Sequence, residues 1–135
     1  MQDFQFKDKY DAYDLVKIMQ LLRAPGGCPW DAEQTHQSIK KNLIEETYEV
    51  IEAINKDDKA LMCEELGDLL FSAVNVARLL GVDSEYALTR SCDKFIRRFA
   101  ETERLAIAEG IDLKTADTDT KDRLWKEAKE IVHSR

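Results

Sequence analysis

Two acidic clusters at helical spacing constrain the fold of this chain more than any other feature. The first cluster is the run 45–49 (EETYE), and the second is the run 64–68 (EELGD). A polar turn at 55–58 separates them, and the residues on both sides show the apolar periodicity of helices. Because so short a connection makes the second helix run back along the first, the sequence predicts an antiparallel helix pair whose acidic clusters face each other.

Glu46 is the acidic residue whose position fits a solvated surface least well. On a helix it shares one stripe with four apolar residues, namely Ile39, Leu43, Val50 and Ile54. Burial of a lone carboxylate is costly unless the group is paired, protonated or bound to a metal. The stripe therefore indicates that Glu46 has a partner inside the protein.

The second helix carries the matching carboxylates. Glu65 and Asp68 lie three residues apart at the margin of an apolar side formed by Leu61, Met62, Leu66, Leu69, Ala73, Val76 and Leu80. Together with Glu46 and Glu49 they would form an all-oxygen cluster, the kind of ligand set that Mg2+ or Mn2+ prefers. Position alone leaves two alternatives open, because buried acids also pair with Lys or Arg, and acidic runs also form solvated faces.

Length and charge limit the class of protein. A chain of 135 residues is expected to form a single domain, 1–135. The net charge of -7 argues against a nucleic-acid-coating or membrane-surface protein. Three cysteines without paired spacing favour reduced thiols and a cytoplasmic location. The first residues lack the apolar core of a signal peptide, and no apolar run reaches membrane-spanning length.

The apolar periodicity and the turn residues predict an all-α antiparallel bundle of about five helices. The predicted helices run from Lys7 or Asp8 to Arg23, from Ser38 to Asn55, from Lys59 to Leu80, from Asp83 or Ser84 to Glu109, and from a cap at Thr118, Asp119 or Thr120 to Val132. The segment 28–36 is predicted to be an ordered loop with a short turn, and the segment 111–119 to be a polar loop.

The predicted apolar faces are wide for one small subunit. The fourth helix alone is expected to bury Leu88, Cys92, Phe95, Ile96 and Phe99. We therefore expect subunits to complete a shared core as a homo-oligomer, either a C2 dimer or a multiple of it such as a tetramer.

Two pairs of residues four apart are candidates for binding an anionic ligand. Lys94 and Arg98 share one helix face, which suits a phosphate chain, although a surface pair balanced by Glu101 and Glu103 has the same spacing. Trp125 and Lys129 fit a lid over a nucleotide and equally fit a packed Trp beside a snorkelling Lys.

The segment 28–36 (CPWDAEQTH) adds two more candidates. Trp30 sits in a loop, where a Trp is more often a packing anchor than a ligand contact. His36 either braces the following helix or approaches a ligand.

Five motifs in this order resemble the MazG-type nucleoside triphosphate pyrophosphohydrolases. They are CPWDAEQTH at 28–36, the E-E-x-x-E of Glu45, Glu46 and Glu49, the E-x-x-D of Glu65 and Asp68, KFIRRF at 94–99, and LWKEAK at 124–129. E-x-x-D alone carries no information, but the five motifs together are highly specific.

The resemblance implies an all-α, oligomeric, Mg2+-dependent enzyme, with Mn2+ as a substitute ion. Such enzymes cleave nucleoside triphosphates between the α and β phosphates, giving monophosphate and pyrophosphate. By position, the implied metal ligands are Glu46, Glu49, Glu65 and Asp68, and the implied base that activates water is Glu45. The implied substrate contacts are Lys94 and Arg98 for the phosphates, Trp125 and Lys129 for the nucleotide pocket, and Trp30 and His36 for the base.

Three other functions remain open from the sequence. The first is a catalytically idle helical module that binds nucleotides or a partner protein. The second is a phosphoribosyl-ATP pyrophosphohydrolase, from which the segment 28–36 points away. The third is a di-iron or di-manganese carboxylate bundle, because Glu33-x-x-His36 and Glu130-x-x-His133 match the ligand spacing of that class.

Overall fold

The computed structural model of the chain describes residues 5–133, and all regular structure in that range is helical. The helices are α1 (Ala12–Arg23), α2 (Pro29–Ala32), α3 (His36–Asn55), α4 (Lys59–Leu79), α5 (Ser84–Ala108) and α6 (Thr118–His133). This confirms the predicted all-α class, with the short turn at 29–32 counted as a sixth helix. Within the same range, no helix combines the length and the apolarity that crossing a membrane requires.

The chain separates into two compact units, Met1–Glu85 and Tyr86–Arg135. The first unit holds α1 to α4, and the second holds α6 and nearly all of α5. Each unit has its own internal packing and is described on its own below. The single domain expected from length stays a prediction.

Capping groups, more than apolar periodicity, set where the helices start. α1 begins at Ala12, because the Asp11 side chain accepts a hydrogen bond from the backbone N–H of Asp14, and the Asp14 side chain accepts one from Asp11. This reciprocal capping box satisfies two N–H groups that a helix otherwise leaves free. The predicted start at Lys7 or Asp8 is therefore wrong.

α3, which carries the first acidic cluster, begins two residues earlier than predicted. Thr35 caps it: the Thr35 hydroxyl accepts from the N–H of Ser38 at 3.2 Å, and the Ser38 hydroxyl accepts from the N–H of Thr35 at 2.9 Å. The cap ties the end of the segment 28–36 to the helix that bears Glu46.

Removal of this cap is expected to destabilise the protein without changing its fold. We expect Thr35→Ala to lower the free energy of unfolding by about 1 kcal/mol, because the substitution leaves a helix N–H without its partner. Urea unfolding followed by circular dichroism measures the change. Thr35→Ser is the matched control, since it keeps the hydroxyl, and an equal loss in both variants would contradict the capping argument.

In the first unit, α3 pairs with α4, and α1 packs against α4 and α2. The turn between α3 and α4 is so short that the pair is antiparallel, as predicted. Ile39 and Ala53 of α3 are buried, together with Met19 of α1. α4 instead buries two polar residues, Ser72 and Asn75, and the side-chain amide of Asn42 donates to the Ser72 hydroxyl at 3.2 Å.

The second unit packs α5 against α6. Its buried apolar cluster consists of Leu105, Ala106, Leu124 and Ala128. Arg123 on α6 makes two hydrogen bonds to the carboxylate of Glu109, at 3.1 and 2.5 Å, just beyond the end of α5. Gly110 then ends the helix with a φ of 69°, a left-handed conformation that glycine adopts without steric cost.

Several residues predicted to be buried are exposed in the single chain. Four residues of the predicted α5 face lie at the surface with large exposed fractions: Leu88 55%, Phe95 57%, Ile96 64% and Phe99 44%. Cys92 is exposed as well, and so are Ile54 on α3 and Leu66, Ala73 and Leu80 on α4 or at its end. The prediction is wrong for one subunit because a paired helix covers only one side of its neighbour.

Candidate functional site

The structure brings together three of the predicted metal ligands. One carboxylate oxygen each from Glu46, Glu49 and Glu65 lies within 4.8 Å of the others. α3 supplies Glu46 and Glu49 from adjacent turns, and α4 supplies Glu65 from the antiparallel neighbour. The helical periodicity therefore placed the two acidic clusters correctly relative to each other.

Glu46 lies partly buried among these carboxylates. Its Oε2 atom is buried and has no hydrogen-bond partner among the described residues. Burial raises the pKa of Glu46, and the negative charges of Glu49 and Asp68 raise it further. No cation of the described chain lies within 4.0 Å of Glu46, so the described residues offer no Lys or Arg partner for its charge.

Glu65, on α4, is also surrounded by negatively charged carboxylates. Burial raises the pKa of Glu65, and the charges of Glu49 and Asp68 act in the same direction. Asp68 is exposed and does not join the group of three, although its charge acts on both Glu46 and Glu65. The site thus concentrates four negative charges with no cation within ion-pair distance of Glu46, Glu49, Glu65 or Asp68 in the described chain.

Glu45, the implied base, lies outside the three-carboxylate group. Its side chain is exposed, and its Oε1 atom lies 3.8 Å from Nζ of Lys41, one turn earlier on α3. The carboxylate is therefore open to solvent on the helix that carries two of the clustered acids.

A polar network connects the segment 28–36 to α4. The buried side-chain amide of Asn75 donates to Oε1 of Gln34 at 2.8 Å, and Arg78 donates to Oδ1 of Asn75 at 2.8 Å. Burial lowers the pKa of Arg78, and the positive charge of Arg23 lowers it further. No sequence pattern predicts this network, because tertiary pairing alone makes Asn75 a buried residue.

The two base-contact candidates of this segment differ in environment. His36 Nε2 lies 3.2 Å from the carbonyl oxygen of Leu79, to which it donates, so the imidazole braces α3 against α4. Trp30 lies in α2 and is 78% exposed. In the single chain it therefore does not serve as a packing anchor, which is the usual role of a Trp in a loop.

The second unit carries the predicted phosphate contacts. Lys94 and Arg98 line one cavity of about 510 Å3, and Nε of Arg98 is buried without a hydrogen-bond partner among the described residues. Neither cation has a carboxylate within 4.0 Å in the described part of the chain. Glu101, one of the expected balancing acids, pairs with Arg104 at 2.6 Å instead. These contacts favour the phosphate interpretation over a balanced surface pair.

Trp125 and Lys129 project from α6 within the same unit. The Trp125 ring contacts Phe95 with centroids 5.7 Å apart, and it also lines an open cavity of about 780 Å3 with Phe99 and Ile107. Lys129 lines a different cavity, together with Arg98. Trp125 is thus partly packed while keeping one side toward an open apolar space.

The di-iron interpretation finds no support in the described residues. Within residues 5–133, no His joins a group of three ligand atoms close enough to hold one ion. Glu130 and His133 line a cavity whose other walls are cationic, which is the opposite of a metal-binding environment.

The helical architecture and the carboxylate group define a class of all-α protein that presents oxygen ligands between two antiparallel helices. Within this class, the chain belongs to the MazG nucleotide pyrophosphohydrolase family. The MazG nucleotide pyrophosphohydrolase domain matches residues 34–101, half of the chain, and this range includes both acidic clusters and the Lys94 and Arg98 pair.

Curated relatives agree with this assignment. The chain is 47% identical over 89 residues to "Nucleoside triphosphate pyrophosphohydrolase/pyrophosphatase MazG" of Thermotoga maritima, covering 63% of the chain and 35% of that protein. It is 40% identical over 91 residues to "Nucleoside triphosphate pyrophosphohydrolase" of Escherichia coli K12, covering 67% of the chain and 34% of the relative. The chain thus spans about a third of the length of these two relatives.

A solved structure matches the chain over a larger part of its own length. The crystal structure of a mazG-related protein from Thermotoga maritima superposes with a TM-score of 0.63 at 27% sequence identity. The match covers 87% of this chain and 98% of that chain. The helical fold described here is therefore similar to the fold of that mazG-related protein.

Proposed function

We propose that the protein hydrolyses nucleoside triphosphates between the α and β phosphates, giving nucleoside monophosphate and pyrophosphate. The observation that carries the proposal is the group of Glu46, Glu49 and Glu65, which lies within the segment that matches the family domain. The names of the relatives from Thermotoga maritima and Escherichia coli support the same reaction.

The carboxylate group fits a hard divalent cation, and we propose Mg2+, with Mn2+ as a substitute. Three carboxylate oxygens already converge, and the unpartnered Oε2 of Glu46 lacks the positive charge that would offset its burial. Oxygen ligands of this kind suit Mg2+ and Mn2+ better than softer metals. We propose Asp68 as the fourth ligand, because its charge already acts on Glu46 and Glu65.

The other candidate residues near the reacting phosphates are assigned to proton transfer and to phosphate binding. A bound Mg2+ supplies Lewis acidity toward phosphate oxygens and toward water. Glu45, exposed beside Lys41, accepts the proton of the attacking water. Lys94 and Arg98, which have no carboxylate partner in the described chain, bind the phosphates and stabilise the charge of the departing pyrophosphate.

The nucleoside end is assigned to aromatic and polar side chains. We propose that Trp125 and Lys129 complete the nucleotide pocket, since Trp125 borders an open apolar cavity and Lys129 borders a cationic one. The exposed Trp30 offers a face on which a base can stack, whereas His36 supports the helix pair through its bond to Leu79 and contacts the base from that position.

We further propose that the working form is a homo-oligomer, with a dimer as the basic unit. The single chain leaves many large apolar side chains exposed, including Leu70 at 67% and Ile96 at 64%. Surfaces of this kind mark association sites, and a second copy of the chain offers the same surface for an isologous C2 contact.

We also propose that the protein functions in the cytoplasm, a reducing compartment, because its three cysteines are free thiols.

A product-resolved assay tests the proposed reaction. The purified protein is incubated with Mg2+ and a panel of ribo-, deoxy- and modified nucleoside triphosphates, and the products are separated by anion exchange. We expect monophosphate and pyrophosphate, and no release in the same preparation treated with EDTA. Diphosphate and phosphate as products would contradict the proposal.

Two further outcomes distinguish the alternatives. A folded protein that binds Mg2+-nucleotide but releases nothing from any triphosphate would favour the idle binding module. Release of pyrophosphate from phosphoribosyl-ATP alone would favour the phosphoribosyl-ATP pyrophosphohydrolase.

A further inference from the structure

Two cavities of about 510 Å3 each adjoin one another in the unit Tyr86–Arg135. They share two wall residues, Arg98 from α5 and His133 from the end of α6. The first cavity adds Lys129, and the second adds Lys94. His133 therefore lies where the spaces lined by Lys94, Arg98 and Lys129 meet.

The charge of these walls is positive in a protein whose net charge is -7. The acids in the walls are Asp93 and Glu130, and Asp93 is already paired with Arg97 at 3.0 Å. Lys94 and Arg98 have no carboxylate partner within 4.0 Å among the described residues. Among the described residues, the cations in these walls outnumber the two acids, and such an excess of positive charge favours the binding of an external anion.

We infer that His133 is a further phosphate-binding residue, which joins Lys94 and Arg98 around the pyrophosphate portion of the substrate, next to Lys129 of the proposed nucleotide pocket. This inference rests on the proposed function for the identity of the anion, and on the two shared cavities for the placement of the imidazole. Neutral imidazole donates one hydrogen bond to a phosphate oxygen, and the imidazolium form donates two and adds a positive charge.

The position of His133 on α6 explains why it is available for this role. It follows Lys129 by four residues, so both side chains emerge from the same helix face on adjacent turns. The sequence signal was present, but the spacing to Glu130 pointed instead to a metal ligand. The cationic surroundings of His133 disfavour a metal ion and favour an anion.

Binding of pyrophosphate by isothermal titration calorimetry, in buffer with EDTA, tests the inference independently of turnover. We expect His133→Ala to weaken pyrophosphate binding by about tenfold to a hundredfold, the loss typical of one hydrogen bond to a charged group. We expect His133→Lys to bind at least as tightly as the wild type, because a cation at this position restores the attraction. The KM for a hydrolysed triphosphate should rise in His133→Ala by a similar factor.

The matched control is Lys114→Ala, which removes a cation of the same unit that lines neither shared cavity. It should bind pyrophosphate as the wild type does. Wild-type affinity in His133→Ala, or equally weak binding in His133→Ala and His133→Lys, would overturn the inference. If the wild type hydrolyses no triphosphate, the proposed function fails, while the calorimetric comparison still decides the role of His133.

Discussion

Replacement of Glu49 by Gln is expected to reduce pyrophosphate release by about a thousandfold or more, which corresponds to roughly 4 kcal/mol of transition-state stabilisation. Glu49 is the member of the three-carboxylate group whose charge acts on both Glu46 and Glu65. An amide in its place keeps the size of the side chain but removes a negative ligand. Steady-state assays of pyrophosphate release with Mg2+ measure the loss.

The same substitution should stabilise the folded protein when no metal ion is bound. Glu46, Glu49, Glu65 and Asp68 crowd like charges together, so removal of one charge relieves repulsion in the folded state. We therefore expect Glu49→Gln to raise the Tm measured in EDTA and to reduce the gain in Tm that Mg2+ gives, since less ion is bound to the native state. A variant that had merely misfolded would not show the raised Tm in EDTA.

Glu52→Gln is the matched control for both measurements. Glu52 lies on the same helix, is exposed, and pairs with Lys56 at 3.0 Å, outside the three-carboxylate group. It should keep wild-type turnover and the full Mg2+-dependent gain in Tm. Turnover within a few fold of wild type in Glu49→Gln would defeat the assignment of this group as the ion site.

The acidic group could be predicted from sequence because its geometry follows from local rules. The helical repeat fixes which face of α3 carries Glu46 and Glu49, and the short turn before α4 fixes the antiparallel return that brings Glu65 opposite. The helix starts were less predictable. Apolar periodicity extends past the true start of α1, and the side chains of Asp11 and Asp14 decide where its first turn begins.

Hydrogen bonds between residues far apart in the sequence determine which polar side chains are buried, and sequence periodicity does not predict such bonds. Ser72 and Asn75 sit at positions that periodicity does not mark as core, yet both are buried, because Asn42 and Gln34 supply hydrogen-bond partners from elsewhere in the fold. Similarly, the spacing of Lys94, Arg98 and Glu101 along α5 did not show that Glu101 pairs with Arg104.

The exposed apolar faces show a different limit of sequence reasoning. Periodicity identifies a face that avoids water, as it did for Phe95, Ile96 and Phe99 on α5, but it does not identify the surface that covers this face. One subunit leaves all three exposed. In the proposed homo-oligomer, a second copy of the chain would cover this face.

Leu70→Lys is expected to convert the proposed dimer into monomers. Leu70 lies on α4 with 67% of its surface exposed in the single chain. In an isologous contact each substitution occurs twice, once in each subunit. The loss of two buried leucines weakens the free energy of association by about 3–6 kcal/mol. The burial of two ammonium groups weakens it further. Since each 1.4 kcal/mol changes affinity about tenfold, the dissociation constant should rise by about two to four orders of magnitude. Size-exclusion chromatography with light scattering across a concentration series measures the shift.

Val82→Lys provides the control, because Val82 is also an exposed apolar residue, at 46%, but lies in the loop after α4 rather than on a helix face. This variant should stay dimeric, so that an added lysine by itself does not account for dissociation. A wild-type protein that is monomeric at micromolar concentration would overturn the dimer outright. A Leu70→Lys variant that remains dimeric would instead place the contact on another of the exposed faces, since a lysine is not tolerated at the centre of a buried apolar interface.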